Sequence, residues 1–162
     1  MMKTCCIIGH RNFEKNKELE LKVKGVVANL IEKENVTEFL FGSRSKFIDF
    51  CYDILTECRN DYPNIKRIFV RAEYPIISDD YYNYLKTFYE DSYFYSDKLI
   101  SNSFSYIRRN KFMIDKSDFC IFYFDDNYIP KTKTRSGTGI AYEYAIKKGK
   151  EIVNVFSSKP TK

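Results

Sequence analysis

The sequence has no tryptophan, a single histidine, His10, and little glycine or proline, with 6 Gly and 4 Pro among 162 residues. One histidine cannot supply chemistry that needs a histidine pair, so a catalytic centre would have to use Glu, Asp, Arg, Tyr or Cys. The low content of Gly and Pro, with 44% hydrophobic and 30% charged residues, excludes a linker or a disordered tail. These absences indicate a folded globular chain.

Long hydrophobic runs are also absent. The longest run, residues 119–124, is far shorter than the roughly 20 apolar residues that cross a bilayer. The N-terminus also lacks the apolar stretch of a signal peptide. We therefore expect a cytoplasmic protein without a membrane partner.

The five cysteines do not form a disulfide or zinc pattern. Their number is odd, no C-x-x-C spacing occurs, and the one histidine cannot complete a Cys/His zinc cluster. Each lies in an apolar strand or helix pattern, which predicts free, buried thiols and neither a metal nor another cofactor. They are Cys5, Cys6, Cys51, Cys58 and Cys120.

Aromatic residues are abundant, with 14 Tyr and 14 Phe, and the net charge is +5. Clustered aromatics can form a core, a subunit interface or a platform for stacking bases. Nine of them fall in residues 74–95. Because tyrosine is enriched at interfaces, we expect a homo-oligomer.

Continuous apolar segments alternate with helical patterns along the chain. Strands are predicted at residues 5–8, 39–41, 65–70, 119–124 and 152–156, with a weaker candidate at 98–100. Continuous strands covered by helices are typical of a parallel sheet. We predict one α/β domain over residues 1–157, a doubly wound, mostly parallel sheet of five to six strands with helices on both faces. A flexible tail is expected at 158–162.

In such a sheet the ligand crevice lies beyond the carboxyl ends of the strands, so the residues that follow each strand are candidates for the site. Glycine, small hydroxyl and arginine residues there bring backbone amides and guanidinium groups to an anion such as phosphate. The ligand-binding candidates are Gly9, His10, Arg11, Gly42, Ser43, Arg71, Glu73, Arg109, Asp125, Ser136, Gly137 and Thr138.

Several of these residues also have a purely structural interpretation. The helix start at residues 136–138 can bind an anion, or Ser136 can simply cap the helix. His10 can donate to a phosphate or satisfy a structural hydrogen bond. The predicted extended bend at Glu73 and Tyr74, before Pro75, can place a carboxylate against ribose hydroxyls or serve only as a turn.

Five segments resemble the YpsA-like branch of the SLOG superfamily: TCCIIGHR at 4–11, FGS at 41–43, RNKFMIDKSD at 109–118, SGT at 136–138 and KEIV at 150–153. The resemblance implies a Rossmann-like sheet that binds nucleotides or nucleotide-derived signals. Relatives include phosphoribohydrolases and DNA-processing proteins, and some SLOG domains sense cyclic ADP-ribose variants in bacterial defence.

The hydrolase relatives carry a P-G-G-x-G-T-x-x-E signature, which this sequence matches only in part. Aligning Gly137-Thr138 with its G-T places Ala141 where the catalytic glutamate belongs, and Arg135-Ser136 replaces the glycine pair. Glu143 lies two residues further on, about 200° around a helix. The resemblance thus implies a phosphate-binding site without the matching hydrolytic residue.

Three functions follow from these features. The first is a stand-alone sensor or sequestering protein, of an anti-defence type, that binds an ADP-ribose-like or cyclic nucleotide without catalysis. The second is an N-glycosidic hydrolase of nucleoside monophosphates using Glu143 or Glu73. The third, single-stranded DNA binding, rests on the charge and the aromatics. We expect a nucleotide-derived ligand and further copies of the chain as partners, and not a nucleic acid.

Overall fold

The computed structural model describes residues 1–96, 104–127 and 136–157, in which strands and helices alternate and confirm the α/β class. No helix within these ranges has the length and apolar character needed to cross a membrane. The elements are β1 (Lys3–Gly9), α1 (Lys17–Glu32), β2 (Val36–Phe41), α2 (Lys46–Cys58), β3 (Lys66–Arg71), α3 (Asp79–Lys86), β4 (Asp91–Phe94), α4 (Ser105–Lys116), β5 (Phe119–Tyr123), α5 (Gly137–Lys147) and β6 (Glu151–Asn154).

The six strands form one parallel sheet in the order β4-β3-β2-β1-β5-β6. From β1 the chain moves outward to β4, and β5 then pairs with the other side of β1. The strand order therefore reverses between β1 and β5, where open α/β sheets commonly bind ligands. All strands end at the same edge, so residues from distant parts of the sequence meet there.

Helices cover both faces of the sheet, which explains why its central strands are continuously apolar. On one face, Val23 of α1 and Phe47 of α2 pack with Cys5 and Ile7 of β1. On the other, α4 and α5 contact each other and pack against the alternate residues of the same strand. The five cysteines are free thiols, and burial raises the pKa of Cys5, Cys6 and Cys51.

Two of the predicted segments fall outside the part of the chain that the structure describes. Residues 98–100, the weaker strand candidate, and the expected tail at 158–162 lie outside the described residues. The sixth strand that the structure does describe is β4, inside the aromatic segment 74–95, where it pairs with β3 at the sheet edge. α3 begins at Asp79, where Ser78 caps it by accepting a hydrogen bond from the Tyr81 amide at 3.1 Å.

Candidate functional site

A cavity of about 220 Å³ opens beyond the carboxyl ends of β2 and β3. Its walls come from the segments after these strands and from α3 and α4. Among the predicted site residues, Gly42, Ser43, Arg71, Glu73 and Arg109 line it. The other lining residues are Phe69, Ala72, Tyr74, Tyr81 and Tyr106.

Arg109 reaches the cavity from α4 and is only 7% exposed. Its Nη1 donates to the Gly42 carbonyl, and Nε and Nη2 donate to Asn110 Oδ1 at 3.3 and 3.0 Å. A Cβ on Gly42 would lie 2.5 Å from Arg109 Nε, so the glycine is required by the approach of this guanidinium. Burial and the nearby charge of Arg11 lower the pKa of Arg109 to about 10, which leaves it protonated at neutral pH.

Arg71 ends β3 and is 8% exposed. Its Nη1 donates to Ser92 Oγ at 3.0 Å, its Nε donates to the Tyr74 carbonyl at 3.3 Å, and burial lowers its pKa. The extended conformation predicted for Tyr74 is wrong, because its φ is 58°, in the left-handed region. Such a conformation costs about 1–3 kcal/mol in a residue other than glycine, and the hydrogen bond from Arg71 helps to hold it.

The third buried arginine, Arg67, shows how this fold stabilises a structural guanidinium. It is the second residue of the strand that Arg71 ends and is 6% exposed. It pairs with Glu90 through Nη2–Oε2 at 2.9 Å and Nε–Oε1 at 3.0 Å. Within the described residues, Arg71 and Arg109 make no such ion pair with a carboxylate. A buried charge without a partner costs several kcal/mol, and an anion in the cavity would offset that cost.

Tyrosine rings frame this positive cavity. Tyr74 and Tyr106 are 61% and 51% exposed, and the Arg109 guanidinium carbon lies 5.4 Å from the Tyr106 ring centroid. The Tyr106 hydroxyl donates to Glu73 Oε1, which raises the pKa of Tyr106. Tyr106 was not among the predicted site residues, although its position three residues before Arg109 places both on one helix face. Phe69 and Tyr81 were missed for lack of a comparable signal.

Arg11 is exposed, and its charge acts on Arg109. The other predicted residues lie near the reversal point between β1 and β5, where the structure shows contacts within the protein. A Cβ on Gly9 would lie 2.4 Å from the ring of Phe47, so this glycine permits close packing. His10 Nε2 accepts from the Asp125 amide at 3.0 Å, and its ring lies 5.6 Å from that of Phe124. Burial lowers the pKa of His10, which favours the neutral imidazole as an acceptor.

The start of α5 is a capped helix N-terminus. Ser136 Oγ accepts from the Gly139 amide at 2.9 Å, and Thr138 is buried. A Cβ at Gly137 would meet no atom within 4 Å. Glu143 is exposed on α5 and is not part of the cavity lining. Residues 128–135, which precede this helix, lie outside the described residues.

No protein-family model and no curated protein matches the sequence. Solved structures of DNA processing protein A (DprA) do match. The Streptococcus pneumoniae protein superposes with a TM-score of 0.59 at 15% identity, over 93% of this chain and 49% of that one. The Helicobacter pylori protein gives 0.58 at 16% identity, over 93% and 63%.

The chain shares its fold with DprA. It spans about half of one DprA and less than two thirds of the other, so the likeness concerns the fold and not the whole protein. A Rossmann-like fold of the SLOG type is what the sequence resemblance implies. The likeness to DprA gives no support to the YpsA-like branch.

The expectation that a nucleic acid is not a partner was wrong. The Helicobacter pylori DprA, which has this fold, has a single-stranded DNA binding mode. The expectation relied on the modest net charge of +5, which averages over the whole surface. The net charge of a chain does not show where its charges lie. In the described structure Arg71 and Arg109 place positive charge in one cavity without carboxylate partners.

Proposed function

We propose that this chain binds single-stranded DNA through the cavity beyond β2 and β3. The observation that carries the proposal is the pair of buried guanidinium groups, Arg71 and Arg109, which lack carboxylate partners within the described residues and are framed by tyrosine rings. A single strand offers both groups that such a site can bind, an anionic phosphate and an unpaired base.

The energies of these contacts are of the right size for binding. A hydrogen bond to a charged group contributes about 1.5–3 kcal/mol, and a base stacked on an aromatic side chain contributes about 1–3 kcal/mol. At about 220 Å³ the cavity is smaller than the roughly 300–1,000 Å³ of sites that enclose a drug-sized ligand. The proposal places the phosphate end of one nucleotide unit in it, with the rest of the strand outside across Tyr74 and Tyr106.

The fold supports the same function. Two DprA structures share it over 93% of this chain, and one of them has a described single-stranded DNA binding mode. The sequence identities of 15% and 16% leave the binding residues of this chain to be argued from its own cavity.

The test compares two neighbouring arginines on α4. Arg109 is buried in the cavity and Arg108 is exposed, so Arg109→Met and Arg108→Met remove the same charge from adjacent positions. With an internally labelled oligonucleotide in a fluorescence anisotropy titration, we expect Arg109→Met to weaken binding at least about tenfold and Arg108→Met less than about twofold. Equal losses, or no binding by the wild-type protein, would contradict the proposal.

A second candidate is a nucleotide-derived small molecule, ADP-ribose-like or cyclic, bound in the same cavity by a sensor or sequestering protein. The deep burial of both guanidiniums, at 7% and 8% exposure, favours it because small-molecule sites are concave and enclose the ligand. Mass spectrometry of material released by denaturation, with thermal shifts across a nucleotide panel, tests it. Recovery of an intact nucleotide supports this function, whereas free base with ribose phosphate would indicate hydrolysis.

A further inference from the structure

We infer that the cavity binds the terminal phosphate of a DNA strand, a phosphomonoester, in preference to an internal phosphodiester. The inference rests on the proposed function and specifies which part of the strand occupies the site.

The positive charge of the cavity favours the more highly charged of the two types of phosphate. Arg71 and Arg109 line it, and Arg11 lies close enough to lower the pKa of Arg109. Among the described lining residues Glu73 is the one carboxylate, and it accepts a hydrogen bond from Tyr106. The two guanidinium groups of the lining outnumber its described carboxylate, and the charge of Arg11 adds to the positive potential at Arg109. A phosphomonoester carries about −1.5 to −2 at neutral pH, whereas an internal phosphodiester carries a single charge.

Hydrogen bonds within the protein already orient the two guanidinium groups of the cavity. Contacts with Ser92 and Tyr74 fix Nη1 and Nε of Arg71, while its Nη2 has no acceptor within the described residues. Arg109 is fixed in the same way by Gly42 and Asn110. Of five guanidinium N–H groups on each arginine, some remain for a ligand. A terminal phosphate presents three acceptor oxygens, one more than the unbridged oxygens of an internal phosphate.

The shape of the cavity favours a terminal phosphate over an internal one. Tyr81 of α3, Tyr106 of α4 and Tyr74 close on it from different elements. An internal phosphate would bring nucleotides on both of its sides past these walls, whereas a terminal phosphate enters with one. A cavity of about 220 Å³ therefore suits the end of a chain.

The experiment uses one internally labelled oligonucleotide sequence with different ends: hydroxyl at both ends, 5′-phosphate, 3′-phosphate, 5′-phosphate monomethyl ester, and a covalently closed circle. We expect one phosphorylated end to bind about tenfold more tightly than the hydroxyl-ended strand, because it adds charged hydrogen bonds. If the 5′ end is preferred, the methyl ester, which has one charge at nearly the same size, loses that gain. The circle binds no better than the hydroxyl-ended strand.

Variants and pH provide independent readouts. Arg71→Met and Arg109→Met abolish the preference for the phosphorylated end, whereas Arg108→Met retains it. Without any variant, the wild-type preference should fall between pH 7.5 and 5.5, since the second phosphate pKa is about 6. The ratio of two oligonucleotides at each pH removes the changes that affect both strands equally. The protein groups around the cavity are Arg11, Glu73, Tyr74, Tyr81 and Tyr106.

The outcomes separate the two proposals. Equal binding of phosphorylated and hydroxyl-ended strands overturns the strand-end inference and leaves single-stranded DNA binding intact. No binding of any oligonucleotide overturns both. A free nucleoside monophosphate that competes more strongly than the phosphorylated strand also overturns the inference and assigns the cavity to the small-molecule function.

Discussion

At the scale of the residue, β3 carries one arginine near its start and another at its end, and the two have opposite roles. Arg67 is neutralised by Glu90, and Arg71 has no carboxylate partner in the described structure. The position of Arg71 at the carboxyl end of a strand could be predicted from sequence to within one residue. Its missing counter-charge could not, because ion pairing is decided by tertiary contacts such as that of Arg67 with Glu90, 23 residues away. Burial of Arg109 and exposure of Arg108 likewise needed the packing of α4.

Because Arg67 has a carboxylate partner and Arg109 has none in the described structure, replacing each arginine should change the free energy of unfolding by different amounts. Arg67→Met leaves Glu90 with Arg59, at 3.4 Å, as its only ion-pair partner among the described residues. It should lower the free energy of unfolding by about 3 kcal/mol, at the low end for a broken buried pair because Glu90 keeps that contact and is partly exposed. Arg109→Met removes a buried charge that has no carboxylate partner in the described structure, but it also removes the donor to the buried Gly42 carbonyl. The free energy of unfolding should therefore fall by less than for Arg67→Met, while DNA affinity falls at least about tenfold. Urea denaturation of both variants measures this. If Arg109→Met destabilises the protein as much as Arg67→Met, its role is structural.

At the scale of the element, the central strands were predictable because burial on both faces makes them continuously apolar. β4 could not be predicted in this way, because its four residues alternate between buried and partly exposed and lie at the sheet edge. Its pairing with β3 is set by tertiary structure, which a local pattern does not contain. The aromatic segment 74–95 accordingly divides into cavity lining at Tyr74 and Tyr81, buried packing at Tyr89 and Tyr95, and the exposed surface of α3.

Two helix caps test whether the start of α5 is structural or binds ligand. Ser136 caps α5 and Ser78 caps α3, each by accepting one backbone hydrogen bond. Ser136→Ala and Ser78→Ala should each cost about 1 kcal/mol in thermal or chemical denaturation. Neither should change DNA affinity by more than about twofold, since neither side chain lines the cavity. A much larger loss of affinity for Ser136→Ala alone would show that the α5 terminus contacts the ligand.

At the scale of the whole molecule, the salt dependence of binding separates one compact site from an extended basic track. Each neutralised phosphate of a single strand contributes a slope of about −0.7 to log K against log salt. A cavity holding one phosphate, on a chain whose net charge is only +5, should give a slope of about −0.7 to −1.4. Anisotropy titrations over a series of NaCl concentrations measure it.

Arg109→Met should make this slope shallower, and Arg108→Met should leave it nearly unchanged. A slope near −4 would require about six phosphate contacts, more than the two buried arginines of the cavity can make. The strand would then follow exposed lysines and arginines across the surface, and the buried pair could no longer be the main determinant of affinity. A shallow slope with strong dependence on Arg109 instead places the binding energy in the cavity itself.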